Sequence, residues 1–247
     1  MVALVDPALY SDSSEKGRQG DIHLFEQIAQ DIKRKGYSIH PNALPDYLVT
    51  DLISHLDSMK DSQFEKAGIG REQNLMVNHF VRSDEICWIT GTSKAGISWL
   101  NWTQALQTYL NRRLFLGLFS FESHFAHYGP GDFYKKHFDA FKGETNRILS
   151  LVVYLNANWT HDDGGELVLY LDETESLSAP QAETTQLILD SPVLESSIKV
   201  LPTMGTVVAF LSEDFPHEVL AANRDRYSIA GWFRLNTSTA DKVDPPV

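Results

Sequence analysis

The second half of the chain constrains the fold most, because from Leu114 onward it breaks into short apolar stretches separated by turn residues. In order they read LFLGLFSFESHFAHY, FYKKHFD, ILSLVVYLN, GELVLYL, QLILD, SIKVL, GTVVAFL, HEVLA and RYSIAGWFRLN. Stretches of roughly five to ten residues with turn-rich spacers predict the strands of an antiparallel sandwich or barrel. Facing follows from alternation. In ILSLVVYLN, Ser150, Val152, Tyr154 and Asn156 share one side, and Leu149, Leu151, Val153 and Leu155 the other. An aliphatic side of that kind packs under helices, whereas the mixed side suits a pocket lining.

The first half supplies those helices. Leu24, Ile28 and Ile32 recur every four residues from Asp21, with Asp21 as N-cap and Gly36 as stop. A short strand (Tyr37 to Ile39) follows, and Pro45-Asp46 opens a second helix with the stripe Leu48, Leu52, Leu56 and Met59. A third helix is predicted from Ile97 to Arg112, carrying Trp99, Trp102, Leu106, Tyr109 and Leu110 on its packed face. The expectation is a mainly β protein with a helical layer: an arm at 1–20, one domain at 21–236 and a tail at 237–247. Within that domain, 21–113 is mainly helical support with a loop at about 60–90, and 114–236 is the β core.

Composition narrows the functional classes. With 21 basic and 33 acidic residues the net charge is -12, which repels phosphate backbones and argues against a nucleic-acid substrate. Lys135, Lys136, Lys142 and Arg147 form a local exception that could guide an anionic ligand or an acidic partner. No run approaches the ~18 apolar residues of a membrane span. The N-terminus lacks the basic and long apolar regions of a signal peptide. Cys87, the single cysteine, lies in the apolar run ICWI and is read as a buried, inert thiol. A soluble, cytoplasmic protein with no membrane partner is the expectation.

Chemistry concentrates in two segments. YGPGDFYKKHFD ends in His137-Phe138-Asp139, and FPHEVLAANRDRY supplies His217 and, nine positions on, Arg226. In a strand His137 and Asp139 point the same way, and one further imidazole completes a facial triad of two His and a carboxylate. A His-x-Asp alone is weak; the downstream context strengthens it. GTVVAFLSEDFPHEV reads as a buried strand, a polar turn and His217 at the head of another strand. In RYSIAGWFRL, Arg226, Ser228, Ala230, Trp232 and Arg234 share a face, and a buried Arg there requires a carboxylate partner that a ligand could provide. WTHDDGG superficially repeats His-x-Asp at His161, but it is a polar turn without a companion histidine and is set aside.

The order HFD, VVYLN, GGELVLY, GTVVAFLSEDFPHEV, RDRYSIAGWF resembles the 2-oxoglutarate/Fe(II)-dependent dioxygenases, over roughly residues 65 to 236. Within them it is most similar to the prolyl 4-hydroxylase branch, which includes the hypoxia-type prolyl hydroxylases and their bacterial relatives. The resemblance implies a double-stranded β-helix (jelly-roll, cupin-like) core supported by N-terminal helices. It implies Fe(II) held by His137, Asp139 and His217, 2-oxoglutarate as cosubstrate, and ascorbate as an accessory cofactor. Arg226 would pair with the distal carboxylate of 2-oxoglutarate and Tyr154 would hydrogen-bond it; Tyr134 would line that pocket. Trp232, on the same strand face as Arg226, would wall it, and Arg224 and Arg234 compete with Arg226 as the anchor. The intact Asp139 fits hydroxylation rather than halogenation. GIGREQN followed by VRSDEICWI is similar to a substrate-covering loop of the bacterial members, making Arg71 and Arg82 candidate substrate contacts. The implied reaction is oxygen-sensing-type 4-hydroxylation of a prolyl residue in a protein, with elongation factor Tu as a candidate target. The alternatives are hydroxylation of another protein residue or a free amino acid, or a non-catalytic metal- and oxoglutarate-binding sensor.

Overall fold

The computed structural model describes residues 15–59, 61–67, 81–140, 146–171 and 196–236. Most of the N-terminal arm, Arg71 and the GIGREQN segment, Lys142, the QLILD strand and the tail at 237–247 lie outside these. Three helices, α1 (Glu15–Lys35), α2 (Asp46–Ser58) and α3 (Lys94–Leu114), cover one face of a large sheet. No helix among the described residues is long and apolar enough to cross a membrane.

The strands are β1 (Tyr37–His40), β2 (Glu65–Lys66), β3 (Glu85–Trp88), β4 (Ser120–Tyr128), β5 (Tyr134–His137) and β6 (Arg147–Tyr154), then β7 (Leu167–Leu171), β8 (Ser196–Val200), β9 (Val207–Leu211), β10 (His217–Val219) and β11 (Arg226–Arg234). They form a seven-stranded sheet in the order β1-β9-β6-β11-β4-β3-β2 and a four-stranded sheet β5-β10-β7-β8. Along the second half of the chain successive strands alternate between the two sheets except at β7 and β8, which pair with each other in the small one. This is the winding of a double-stranded β-helix, and the paired strands are antiparallel.

The alternation read in β6 decides which layer each residue joins. Leu149, Leu151 and Val153, with Val207, Ala209, Ile229 and Phe233, bury themselves against Trp99, Trp102, Leu106 and Leu110 of α3 and against α1 and α2. Tyr154, Val208 and Phe210, with Val152 alongside, face Leu167, Leu169 and Val219 of the small sheet. The molecule therefore has two apolar layers, one on each side of the large sheet, and the second is interrupted by polar side chains.

Several boundaries differ from the expectation. α1 begins six residues before Asp21, so Asp21 lies inside it; its carboxylate accepts from Trp102 Nε1 at 3.2 Å and ties α1 to α3. Burial pushes the Asp21 carboxyl up, opposed by that indole donor. α3 begins at Lys94, where Ser93 caps it by accepting from the Gly96 amide at 3.0 Å. It also runs on to Leu114, so the predicted strand loses its first six residues. Phe115 (φ 56) and Gly117 (φ 68) are left-handed, which no strand tolerates, and β4 starts at Ser120. Cys87 is half-buried rather than buried, and burial raises its thiol.

Leu106 is fully buried between α3 and the sheet. Leu106→Ala is expected to lower unfolding free energy by about 2–5 kcal/mol in chemical denaturation, with the far-UV spectrum unchanged.

Candidate metal centre and adjoining cleft

β10 pairs with β5 so that His217 stands directly opposite His137. β5 ends at His137, two residues before Asp139; Phe138 is left 40% exposed at the cleft rather than facing an opposite layer. Asp139 folds back beside the two imidazoles. Its Oδ1 is 3.8 Å from His137 Nε2, and its Oδ2 is 3.6 Å from His217 Nε2. All three donor atoms lie within 4.8 Å of one another, the one such group of His, Cys, Asp or Glu among the described residues.

Backbone carbonyls decide which nitrogen is available. His137 Nδ1 lies 2.8 Å from Lys135 O, and His217 Nδ1 lies 3.1 Å from Phe215 O. A carbonyl only accepts, so each Nδ1 carries the proton and each Nε2 keeps its lone pair toward Asp139. Burial, reinforced by the neighbouring His217, pushes His137 down to about 3, so it stays neutral. Burial alone would raise Asp139; the two imidazoles, the Ser150 hydroxyl and Arg147 outweigh it and hold the carboxyl at about 2. Two imidazoles that turn Nε2 to one point and an ionised carboxylate form the donor set of a facial-triad Fe(II) centre, and the residues present fit that ion.

The cluster opens into a cleft of about 540 Å³ between the sheets, lined among others by Tyr128, Tyr134, Tyr154, Arg226, Ser228 and Trp232. Arg226 is 1% exposed. Its Nε donates to Gly165 O at 2.8 Å and an Nη to Ser228 Oγ at 3.2 Å, and its guanidinium lies over the rings of Tyr128 and Tyr154. Among the described residues no carboxylate pairs with it. Tyr154 Oη is fully buried without a hydrogen-bond partner, and burial pushes the phenol up to about 12 against the pull of Arg226. A buried cation and an unengaged hydroxyl donor in one cleft suit a bound carboxylate. The second glycine of GGELVLY makes room: Gly165 has φ 68, and a Cβ there would sit 2.9 Å from Arg226 Cδ.

The competing arginines are engaged elsewhere. Arg224 pairs with Asp163 at 2.9 Å, and Arg234 bonds Glu122 at 3.2 Å and Asn146 at 3.1 Å. Tyr134 stacks on His137 with centroids 3.6 Å apart, and Trp232 walls the cleft beneath the Arg147 guanidinium, 3.7 Å above its ring. Arg82 lines the cleft with its cation committed to Asp84 at 2.6 Å and packed over Tyr134. His161 sits in a 3-10 turn closed by a Thr160–Asp163 capping box, apart from the cluster. Sequence reasoning missed Gly165, Tyr128, His124, Trp88 and the Ser150 hydroxyl as cleft or cluster neighbours. Only Ser150 carried a signal, a polar residue on the same strand face as Tyr154.

Residues 123–234 match the family model of the 2OG-Fe(II) oxygenase superfamily. A prolyl-4-hydroxylase from Pseudomonas putida is 32% identical, with 85% of this chain and 98% of that one aligned at a TM-score of 0.69. A prolyl hydroxylase from Trichoplax adhaerens, solved with a hypoxia-inducible-factor peptide fragment, shares the fold at 23% identity, 90% and 94% coverage and a TM-score of 0.72. The collagen prolyl hydroxylase of Paramecium bursaria Chlorella virus-1, in its 2OG complex, shares it at 18% identity, 82% and 98% coverage and a TM-score of 0.52.

His124, 3% exposed on β4, gives a pH prediction. Burial, then the Arg82 charge, depresses it from 6.5 to about 4, Asp84 opposing. Between these values the unfolded chain binds more protons than the folded one. The stability contribution is thus complete above about 6.5 and lost as pH falls toward 4, by roughly 3 kcal/mol. Denaturant titrations of the metal-free protein across that window are expected to show a shallower loss for His124→Gln than for wild type.

Proposed function

The chain belongs to the 2OG-Fe(II) oxygenase superfamily, and from that membership we propose that it is a protein prolyl 4-hydroxylase. As a 2-oxoglutarate- and Fe(II)-dependent dioxygenase it carries out oxoglutarate-dependent hydroxylation. The finer reading assigns His137, Asp139 and His217 as iron ligands, Arg226 and Tyr154 as the anchor of the distal carboxylate of 2-oxoglutarate, and Tyr134 and Trp232 as cleft walls. The observation that carries it is the buried, carboxylate-free Arg226 beside the unpartnered Tyr154 hydroxyl, in the cleft that also holds the His-Asp-His cluster.

Iron and 2-oxoglutarate bound there would supply an O2-dependent oxidation: one oxygen atom of O2 converts a substrate C–H to C–OH, and the other enters the succinate that forms as the oxoacid loses CO2. The chain's own residues orient and shield. The Lys135 and Phe215 carbonyls hold both imidazoles in the ligating tautomer. Arg226 offers its remaining N–H groups as a fork to one carboxylate, and Tyr154 adds an O–H donor. Burial of both keeps water from competing for that carboxylate. Tyr134, stacked on His137, fixes the plane of that imidazole.

A prolyl residue in a protein is the substrate we favour, because the Pseudomonas putida relative is a prolyl-4-hydroxylase and aligns over nearly its whole length. The Trichoplax adhaerens prolyl hydroxylase of like fold is in complex with a protein-derived peptide, a fragment of a hypoxia-inducible-factor oxygen degradation domain. Elongation factor Tu is our candidate target.

Incubating proteins of the native host with the enzyme, Fe(II), 2-oxoglutarate and O2, then mapping masses against a His217→Ala control, tests this. One added oxygen on a single proline, absent from the control, is the expected result. Succinate without oxygen on any protein points to a small-molecule substrate, and neither product points to a sensor. Gly165→Ala, which drives a methyl into Arg226, is expected to raise the 2-oxoglutarate concentration for half-maximal rate by on the order of tenfold or more in succinate assays.

A further inference from the structure

Two buried serines stand behind the cluster. Ser150 is 1% exposed on β6, and Ser212, directly after β9, is fully buried. Ser150 Oγ lies 2.6 Å from Asp139 Oδ2 and 2.9 Å from Ser212 Oγ. An ionised carboxylate only accepts, so the single Ser150 proton goes to Asp139, and the bond between the serines must then be donated by Ser212. The hydroxyls form a one-way chain, Ser212 to Ser150 to Asp139. The last link has the length of a charge-assisted bond, and aligned donors polarise one another. No hydrogen bond among the described residues reaches Asp139 Oδ1.

We infer that the Ser212–Ser150 relay is a positioning device that engages Oδ2 and holds Asp139 to one-oxygen donation toward the metal. This rests on the metal-centre reading above. A carboxylate turned to chelate through both oxygens would fill two of six octahedral positions. With two imidazoles it would leave two sites open; one-oxygen donation leaves three. An oxoacid chelate takes two, so the relay preserves the third. It also ties together three segments that meet only in the folded chain: β6, the turn leading from β9 to His217, and the residues just past β5.

Co(II) binding to the full-length metal-free protein, measured by titration calorimetry, tests the relay without turnover. Ser150→Ala is expected to weaken Co(II) affinity ~10–100-fold, the range for lost outer-shell partners. Ser150→Thr, which keeps the hydroxyl, is expected to restore most of it, and Ser212→Ala, which leaves the last link intact, to lose less than Ser150→Ala. Circular dichroism checks the fold of each. Wild-type affinity in a folded Ser150→Ala protein, or a folded Ser150→Thr as weak as Ser150→Ala, overturns the inference. If Ser150→Ala does not fold, Ser212→Ala decides, and wild-type affinity there overturns the relay. A wild type that binds no Co(II) instead removes the metal-centre reading itself.

Discussion

The register of β10 on β5 is the constraint on which the centre depends. With His217 opposite His137, two imidazoles from segments eighty positions apart share one face of the small sheet, and the carbonyls of Lys135 and Phe215 orient them alike. A slip of one residue would turn either ring to the other face. Asp139 then needs only to fold back from the strand end, which the break in β5 after His137 permits.

The large sheet adds a second demand. Arg226 begins β11 and Tyr154 ends β6, and these strands are hydrogen-bonded neighbours, with Tyr154 opposite Ser228. Their inner faces carry the polar lining while their outer faces are aliphatic. The Gly164-Gly165 turn closes over the guanidinium, braced by Arg224 on Asp163 and by the stacking of Arg224 on Trp159. A cation buried this deeply without a protein carboxylate is costly unless a ligand neutralises it, so Arg226, bonded among the described residues only to neutral oxygens, and the Tyr154 hydroxyl read as a site built for a guest.

Much of this was legible in the residues. Period-two alternation assigned both faces of β6 and β11, and the spacing from His217 to Arg226, with the family resemblance, singled out the residues that the fold brings into one cleft. What stayed hidden depended on partners distant in the chain. Asp21 has the chemistry of a cap, and only its contact with Trp102 explains why it sits inside α1 instead. Leu114 to Phe119 has the composition of a strand, yet the left-handed Phe115 and Gly117 make it a turn. Ser150 looked like an ordinary polar position; its meaning lies in Asp139 and Ser212, which sequence distance conceals.

Because β6 and β11 bury an aliphatic face under the helices and a polar face in the cleft, neither strand has a residue to spare. An inserted or deleted position in either would exchange the lining for the core along the rest of its length. Length variation in such a chain is therefore confined to the turns, and the residues at the tips are free to diverge while the central strands keep their count. The helical layer in this way guards the spacing of the chemistry it never touches.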